Sequence, residues 1–346
     1  MSKIEWTEKT WNPIVGCSIV SPGCTNCYAM RMAQRIERMG SAEHYRGLTK
    51  VVKGNAVWTG KMARAPEHIL MEPLRVKRPT TWFVNSMSDL FHEDVPDAWI
   101  DQVFAVMALT PQHTYQVLTK RSARMREYLH HPWGADLKQG QTWEDVAYWR
   151  VATLAEEMDR ERYVRGPIGG CDWWPLPNVW LGVSAERQQE ANERVPDLLA
   201  TPAAIRFVSA EPLLGPIDFT RLDVSDGIHR DALQGWRAVR TSPGHYEHAP
   251  HSPDTHLDWV IVGGESGPGA RPFDAAWARS IVSQCRSAEV ACFVKQVGSH
   301  PTDSDRPGLK GKRLITKSKK GGDMAEWPPE LRVRQMPVVT DKAEAA

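Results

Sequence analysis

The sequence predicts an α/β chain folded as a parallel (βα) barrel or partial barrel with two loop or helix insertions, in a single domain over 1–346. Three observations predict it. Six short β-branched or aromatic runs recur between 80 and 300, and they are almost continuously apolar, as strands covered on both faces are. Stretches able to form helices lie between them, which makes the region a series of βα repeats. Polar residues gather at the downstream end of nearly every run, the end at which parallel βα folds bind their ligands.

Composition sets the frame for these elements. At 346 residues and 41% hydrophobic content, the chain buries a core without needing disulfide staples. Its net charge of +1 supplies no field that would gather a polyanion over the whole surface. No apolar run approaches the roughly 20 residues that cross a bilayer, and "MSKIEWTEKTWNP" has no signal-peptide core behind its lysine. The expectation is therefore a cytoplasmic protein with no membrane contact. In a reducing compartment a local cluster of cysteines signals metal or redox chemistry rather than a crosslink.

Such a cluster opens the chain. Within 1–40, "GCSIVSPGCTNCYAM" holds Cys17, Cys24 and Cys27, three of the six cysteines, spaced C-x6-C and C-x2-C. Gly16, Pro22 and Gly23 let this loop wrap tightly. A helix is expected after Cys27, with Ala29, Ala33 and Ile36 on one face and Gly40 as its stop. Cys27 then stands at a helix N-terminus, where free amides and the helix dipole favour a thiolate. Cys171, Cys285 and Cys292 are scattered and read as buried packing.

The βα repeats fill 80–300. Their strands are "TTWFVNS" (80–86), "TYQVLTK" (114–120), "NVWLGVS" (178–184), "AIRFVSA" (204–210), "LDWVIVGG" (257–264) and "ACFVKQV" (291–297). A helix is expected over 97–109, where Asp97 starts it, Ala98, Ile100, Val103, Phe104 and Met107 keep the spacing, and "TPQ" ends it. Two repeats are oversized, with excess around 130–178, rich in Trp, and around 218–256, where Pro, Gly, Asp and His imply a loop. The last stretch, 301–346, reads as a hairpin or tail, and "KGKRLITKSKK" within it as a hairpin with a solvated lysine edge.

Candidate site residues follow from the strand ends. Ser86, Asp89, Ser184, Glu186, Glu211, Glu265 and Lys295 are the expected cofactor-binding set, standing among Asn85, Thr119, Lys120, Arg121, Ser209, Ser266 and Gln296. "GGESGPG" (263–269) lacks the lysine of a P-loop and reads as a strand-end glycine turn. His245, His248 and His251 are interrupted by Pro243, Pro250 and Pro253, which places them in an exposed loop rather than around a metal. Six of the fifteen tryptophans lie between 133 and 180 and offer either core filling or a surface for stacking nucleobases.

Cys17, Cys24 and Cys27 are the expected metal ligands, and two metals compete for them. Structural zinc wants four closed ligands, yet no second C-x2-C follows and His44, the nearest histidine, is not forced into place. A four-iron cluster held by three cysteines keeps one iron open to an incoming molecule. Three cysteines in an N-terminal loop before a helix, followed by βα repeats, resemble the radical S-adenosylmethionine (SAM) enzymes, whose three-cysteine loop precedes a full or partial βα barrel. More closely, "TWNPIVGC", "GCTNCYA", "VSAEPLLG", "VIVGGESG", "KQVG" and "EWPPELRVRQMP" resemble a phage and bacterial family with a three-cysteine motif and largely unassigned biochemistry, over nearly the entire chain.

The resemblance implies a radical-SAM-like fold in which Cys17, Cys24 and Cys27 hold a [4Fe-4S] cluster, S-adenosylmethionine is the cofactor, and a 5'-deoxyadenosyl radical modifies a substrate that the sequence does not identify; the tryptophans and the phage setting of the resembling family offer a nucleotide or nucleic acid as the candidate. The alternative is a zinc- or cluster-stapled phage protein that binds a partner protein without catalysis. The chain departs from the common radical pattern in its six-residue first gap and in Asn26, which stands where an aromatic residue usually precedes the third cysteine. Gly263, Gly264 and Glu265 follow a late strand, whereas the cofactor-gripping Gly-Gly-Glu follows an early one.

Overall fold

The computed structural model describes residues 4–130, 143–158, 175–225, 228–242, 245–250, 255–308 and 312–338. All six expected runs are strands, and a seventh precedes them. They are β1 (Lys9–Trp11), β2 (Thr81–Val84), β3 (Thr114–Thr119), β4 (Val179–Ser184), β5 (Ile205–Ala210), β6 (Trp259–Gly263) and β7 (Ala291–Gln296). They form one seven-stranded sheet in that order. The pairs β1–β2, β2–β3, β5–β6 and β6–β7 are parallel. Strand order that never reverses is the winding of a partial parallel barrel; doubly wound sheets reverse at a switch point.

The chain divides into two compact units, Met1–Leu181 with Thr201–Ala204, and Gly182–Ala200 with Ile205–Ala346. The first holds α1 (Tyr28–Met39), α2 (Asp97–Ala108), α3 (Ser122–His130) and α4 (Trp143–Met158). α1 ends at Gly40, whose φ of 66° is the left-handed cap expected of glycine. Its Ala29, Met30 and Ala33 bury against Val15, Tyr45, Leu48, Trp58 and Met87. α4, from the first oversized repeat, packs Ala155 on Ala105 and Leu109. β1 is held by Trp11, which is fully buried and donates its indole N–H to Ile69 O at 2.8 Å.

The second unit holds α5 (Gln188–Ala200) and α6 (Ala275–Ser287). Its oversized repeat corrects the expectation of a loop. Leu222–Ser225, Ile228–Asp231, Trp236–Ser242 and His245–Pro250 form an antiparallel four-stranded sheet. His245 and His248 therefore lie on a strand, while His251 falls outside the described residues. The lysine-rich stretch also differs from expectation. Its described residues make turns and one bridge, Arg313 to Thr302, instead of a hairpin.

Close packing explains the glycines of this unit. A Cβ on Gly182 would sit 2.5 Å from the Phe207 ring, so β4 carries no side chain there. Gly264, Gly298 and Gly321 bring three segments together backbone to backbone. A Cβ on Gly264 would lie 2.6 Å from Val297 O, and one on Gly298 would lie 2.6 Å from Glu265 O. The outer edge of β7 is covered by 333–335: Val294 N donates to Val333 O at 2.8 Å and Gln335 N to Cys292 O at 2.9 Å. Such cover removes an edge that would otherwise pair with other chains.

Candidate metal and cofactor centre

In the first unit, the strand pair Ile14–Val15 and Ala63–Arg64 delivers the chain to the three-cysteine loop. Gly16 adopts a φ of 99°, and the place of its missing Cβ is taken by Lys61 O. A short 3-10 turn, Pro22–Cys24, then carries the chain to Cys27, the residue that precedes α1. Cys17, Cys24 and Cys27 lie close enough to repel one another's thiolates. Burial pushes the Cys17 thiol up to about 12, with Asp89 adding to the rise and Arg121 opposing it. Burial also raises Cys27, against the pull of the Ala29 and Met30 amides at the open end of α1. Neither amide completes a capping hydrogen bond to the sulfur.

A buried charge cluster backs the loop. Arg121 donates Nη1 to Asp89 Oδ2 at 3.1 Å, Nε to Glu93 Oε2 at 2.8 Å and Nη2 to Ser18 Oγ at 2.6 Å. Its Nη1 also lies 3.8 Å from Cys17 Sγ. Burial alone would lower the Arg121 pKa, but Asp89, Cys17 and Glu93 outweigh it and hold the guanidinium charged. Asp89 further accepts from Thr119 Oγ1 at 2.6 Å and Lys120 N at 2.9 Å. Ser86 donates Oγ to Asn12 Oδ1 at 3.1 Å, and Tyr28 donates Oη to Ser86 O at 2.8 Å. The strand ends of β2 and β3 thus meet the loop, and Cys17, Ser86, Asp89 and Arg121 stand together. Arg121 was legible only as a strand-end cation; its approach to Cys17 is tertiary.

The second unit arranges the other candidates in pairs. Lys295 Nζ and Glu211 Oε1 are 2.9 Å apart, and Ser209 Oγ donates to Glu211 Oε2 at 3.1 Å. The carboxylate of Glu211 lies where a Cβ on Gly263 would be, so the glycine is what lets it cross the end of β6. Glu265 holds Arg271 through both oxygens, at 2.6 and 3.1 Å. Glu186, fully buried, pairs with Arg194 at 3.1 Å, and the same guanidinium donates to Ser184 O at 2.7 Å. These last contacts tie α5 to the end of β4. A cavity of about 930 Å³ opens at the opposite ends of β6 and β7, between Asp258, Arg286 and Glu289. Cys285 and Cys292 line it, both buried as expected, and the neighbouring Cys292 thiol together with burial pushes the Cys285 thiol well up.

Soft thiolate donors suit iron–sulfur clusters and zinc, so the chemistry of the three-cysteine set fits either. Among the described residues no three His, Cys, Asp or Glu side chains, these cysteines included, already converge as a metal cage. The fit is therefore one of donor type and loop position. Of the tryptophans offered for stacking, Trp180 is buried in the core, Trp143 and Trp149 lie on α4, and Trp133, Trp173 and Trp174 fall outside the described residues. Cys171 also lies outside the described residues. No described helix is long and apolar enough to cross a membrane.

Sheet and loop together define an α/β protein with a partial-barrel strand order and a three-cysteine loop at its strand ends, Cys24 buried and Cys17 and Cys27 half-buried. A family model described as a protein of unknown function, DUF5131, matches residues 1–334, and the chain belongs to that family. No curated protein and no solved structure matches it.

Proposed function

We propose that Cys17, Cys24 and Cys27 hold a [4Fe-4S] cluster and that the chain is a radical-SAM-type enzyme acting on a nucleotide or nucleic-acid substrate. The observation that carries this reading is three cysteines on one loop, Cys24 buried and Cys17 and Cys27 partly so, within electrostatic reach of one another. When bound, such a cluster supplies the electron that cleaves S-adenosylmethionine to a 5'-deoxyadenosyl radical. The chain's own residues do the rest. Arg121, fixed by Asp89 and Glu93, offsets negative charge at Cys17. The amides of Ala29 and Met30 do the same at Cys27. In the second unit Lys295, oriented by Glu211, presents an ammonium to an anionic group of a ligand.

A second reading, a metal-stapled protein that binds a partner, is favoured by one observation. Ile19, Val20, Tyr28 and Met32 are exposed apolar side chains on or beside the same loop. Anaerobic metal analysis of the wild type beside Cys24→Ala separates the two. The radical enzyme is brown, carries about four irons per chain, loses them in the variant, and releases 5'-deoxyadenosine when reduced with S-adenosylmethionine. Stoichiometric zinc with no nucleoside product sinks the enzyme reading.

A further inference from the structure

Asn85 ends β2 in a left-handed conformation, φ 57°, that few residues other than glycine adopt. Its backbone is fully used: N donates to Trp11 O at 2.7 Å, and O accepts from Ser88 N at 3.1 Å. The turn it begins is clamped on every side. Asn12 Oδ1 accepts from Met87 N at 2.9 Å, Ser88 Oγ donates to Ile14 O at 2.8 Å, and Gly16 N donates to Met87 O at 3.2 Å. These bonds fasten Asn85 beside the start of the three-cysteine loop.

Its side chain is different. Asn85 is 2% exposed, yet neither Nδ2 nor Oδ1 has a hydrogen-bond partner among the described residues. A buried, unpaired carboxamide carries a desolvation penalty. Glycine would meet the same backbone demand without it. Turn geometry alone therefore does not account for asparagine here. One strand over, Gln116 repeats the pattern: it is fully buried, Nε2 donates to Trp6 O at 3.1 Å, and Oε1 is left without a partner. Gln116 is in register with Phe83, two positions before Asn85 on β2.

A carboxamide sets a donor beside an acceptor, the pattern that matches the amino group and neighbouring ring nitrogen of adenine. We infer that Asn85 is a ligand-binding residue at the end of β2, reading the edge of an adenine-type base, with Gln116 Oε1 as a further acceptor on the adjacent strand. The ligand role of Asn85 rests on geometry; the choice of an adenine-bearing ligand rests on the proposed function. Adenine could arrive on the sulfonium cofactor or on a nucleotide substrate, and the experiment separates these sources.

The test is calorimetric titration of the anaerobically purified full chain with S-adenosylhomocysteine and with adenosine monophosphate, for wild type, Asn85→Gly and Asn85→Asp. Losing a paired edge contact weakens binding by about tenfold or more. Asn85→Gly should show that loss while its thermal midpoint holds or rises, because the turn is kept and the unpaired amide removed. Asn85→Asp keeps the shape and removes the donor, and should lose affinity likewise; it carries the comparison if the glycine variant does not fold. Wild-type affinity retained in the variants overturns the inference, as does a wild type that binds neither probe. Binding of the monophosphate alone, lost in the variants, upholds Asn85 and rejects the cofactor reading.

Discussion

Gly263 and Gly264 are neighbours, and the same substitution should have very unequal consequences at each. In Gly264→Ala the new methyl meets Val297 O at 2.6 Å, Val297 C at 2.7 Å and Gly298 N at 2.8 Å, all backbone atoms that cannot rotate away. Overpacking costs about 1–3 kcal/mol, and a clash with immobile atoms belongs at the top of that range. At about 2–4 °C per kcal/mol the melting midpoint falls by roughly 6–12 °C. In Gly263→Ala the methyl meets only the Glu211 side chain, which swings aside and gives up its 2.9 Å contact with Lys295. That pair is partly exposed, so the loss is about 1 kcal/mol, offset in part by the stiffer unfolded chain. Thermal unfolding of both variants beside the wild type tests this. Equal midpoints, or a lower one for Gly263→Ala, would refute the backbone-contact account of the glycine cluster. Gly263→Ala should instead weaken ligand binding at Lys295.

Gly16→Ala should empty the three-cysteine loop, because a methyl there strikes Lys61 O and φ is 99°; bound metal per folded chain is the measurement, and full loading would contradict the prediction. Metal uptake should strengthen as pH rises, since the Cys17 thiol is pushed up to about 12 by burial and must release its proton to bind; uptake that is flat with pH speaks against thiolate ligation. Arg279 pairs with the buried Asp303 at 2.6 and 2.9 Å, with Asp305 at 3.0 Å and with Glu330, so Arg279→Gln should cost about 3 kcal/mol at neutral pH. Hydrogen bonds from Arg279 hold both Asp303 and Glu330 below their ordinary values. The stabilisation is therefore complete above the ordinary carboxylate pKa of about 4 and fades as pH drops through the lower folded values. Urea midpoints of wild type and variant should converge on acidification, and a constant gap would rule this out.

Strands buried on both faces announce themselves, and the six runs from 80 to 297 were readable for that reason. β1 was not, since Lys9, Thr10 and Trp11 make no run and become a strand only by pairing with β2. The sheet from Leu222 to Pro250 carries polar and charged residues such as Asp223, His229, Arg230 and Arg237, so its segments lack the apolar signal. The lysine stretch was misread because distant partners fix it: Leu314 N donates to Pro301 O at 2.7 Å and Ser299 Oγ to Lys319 O at 2.6 Å. At the site, spacing alone exposed the three cysteines. Asn85 carried no signal in the sequence beyond its place at a strand end, because a missing hydrogen bond exists only in three dimensions.

The return of 333–335 to the outer side of β7 also orders events during synthesis. Domains mature as the chain emerges from the ribosome, and the nascent second unit has a ready sheet margin as soon as β7 is out. Its own seal arrives some forty positions later, with Val333 and Gln335. Through that interval the unit is open to zippering with a neighbouring nascent copy, and a protease cut just after Arg332 would restore the same hazard in the finished protein.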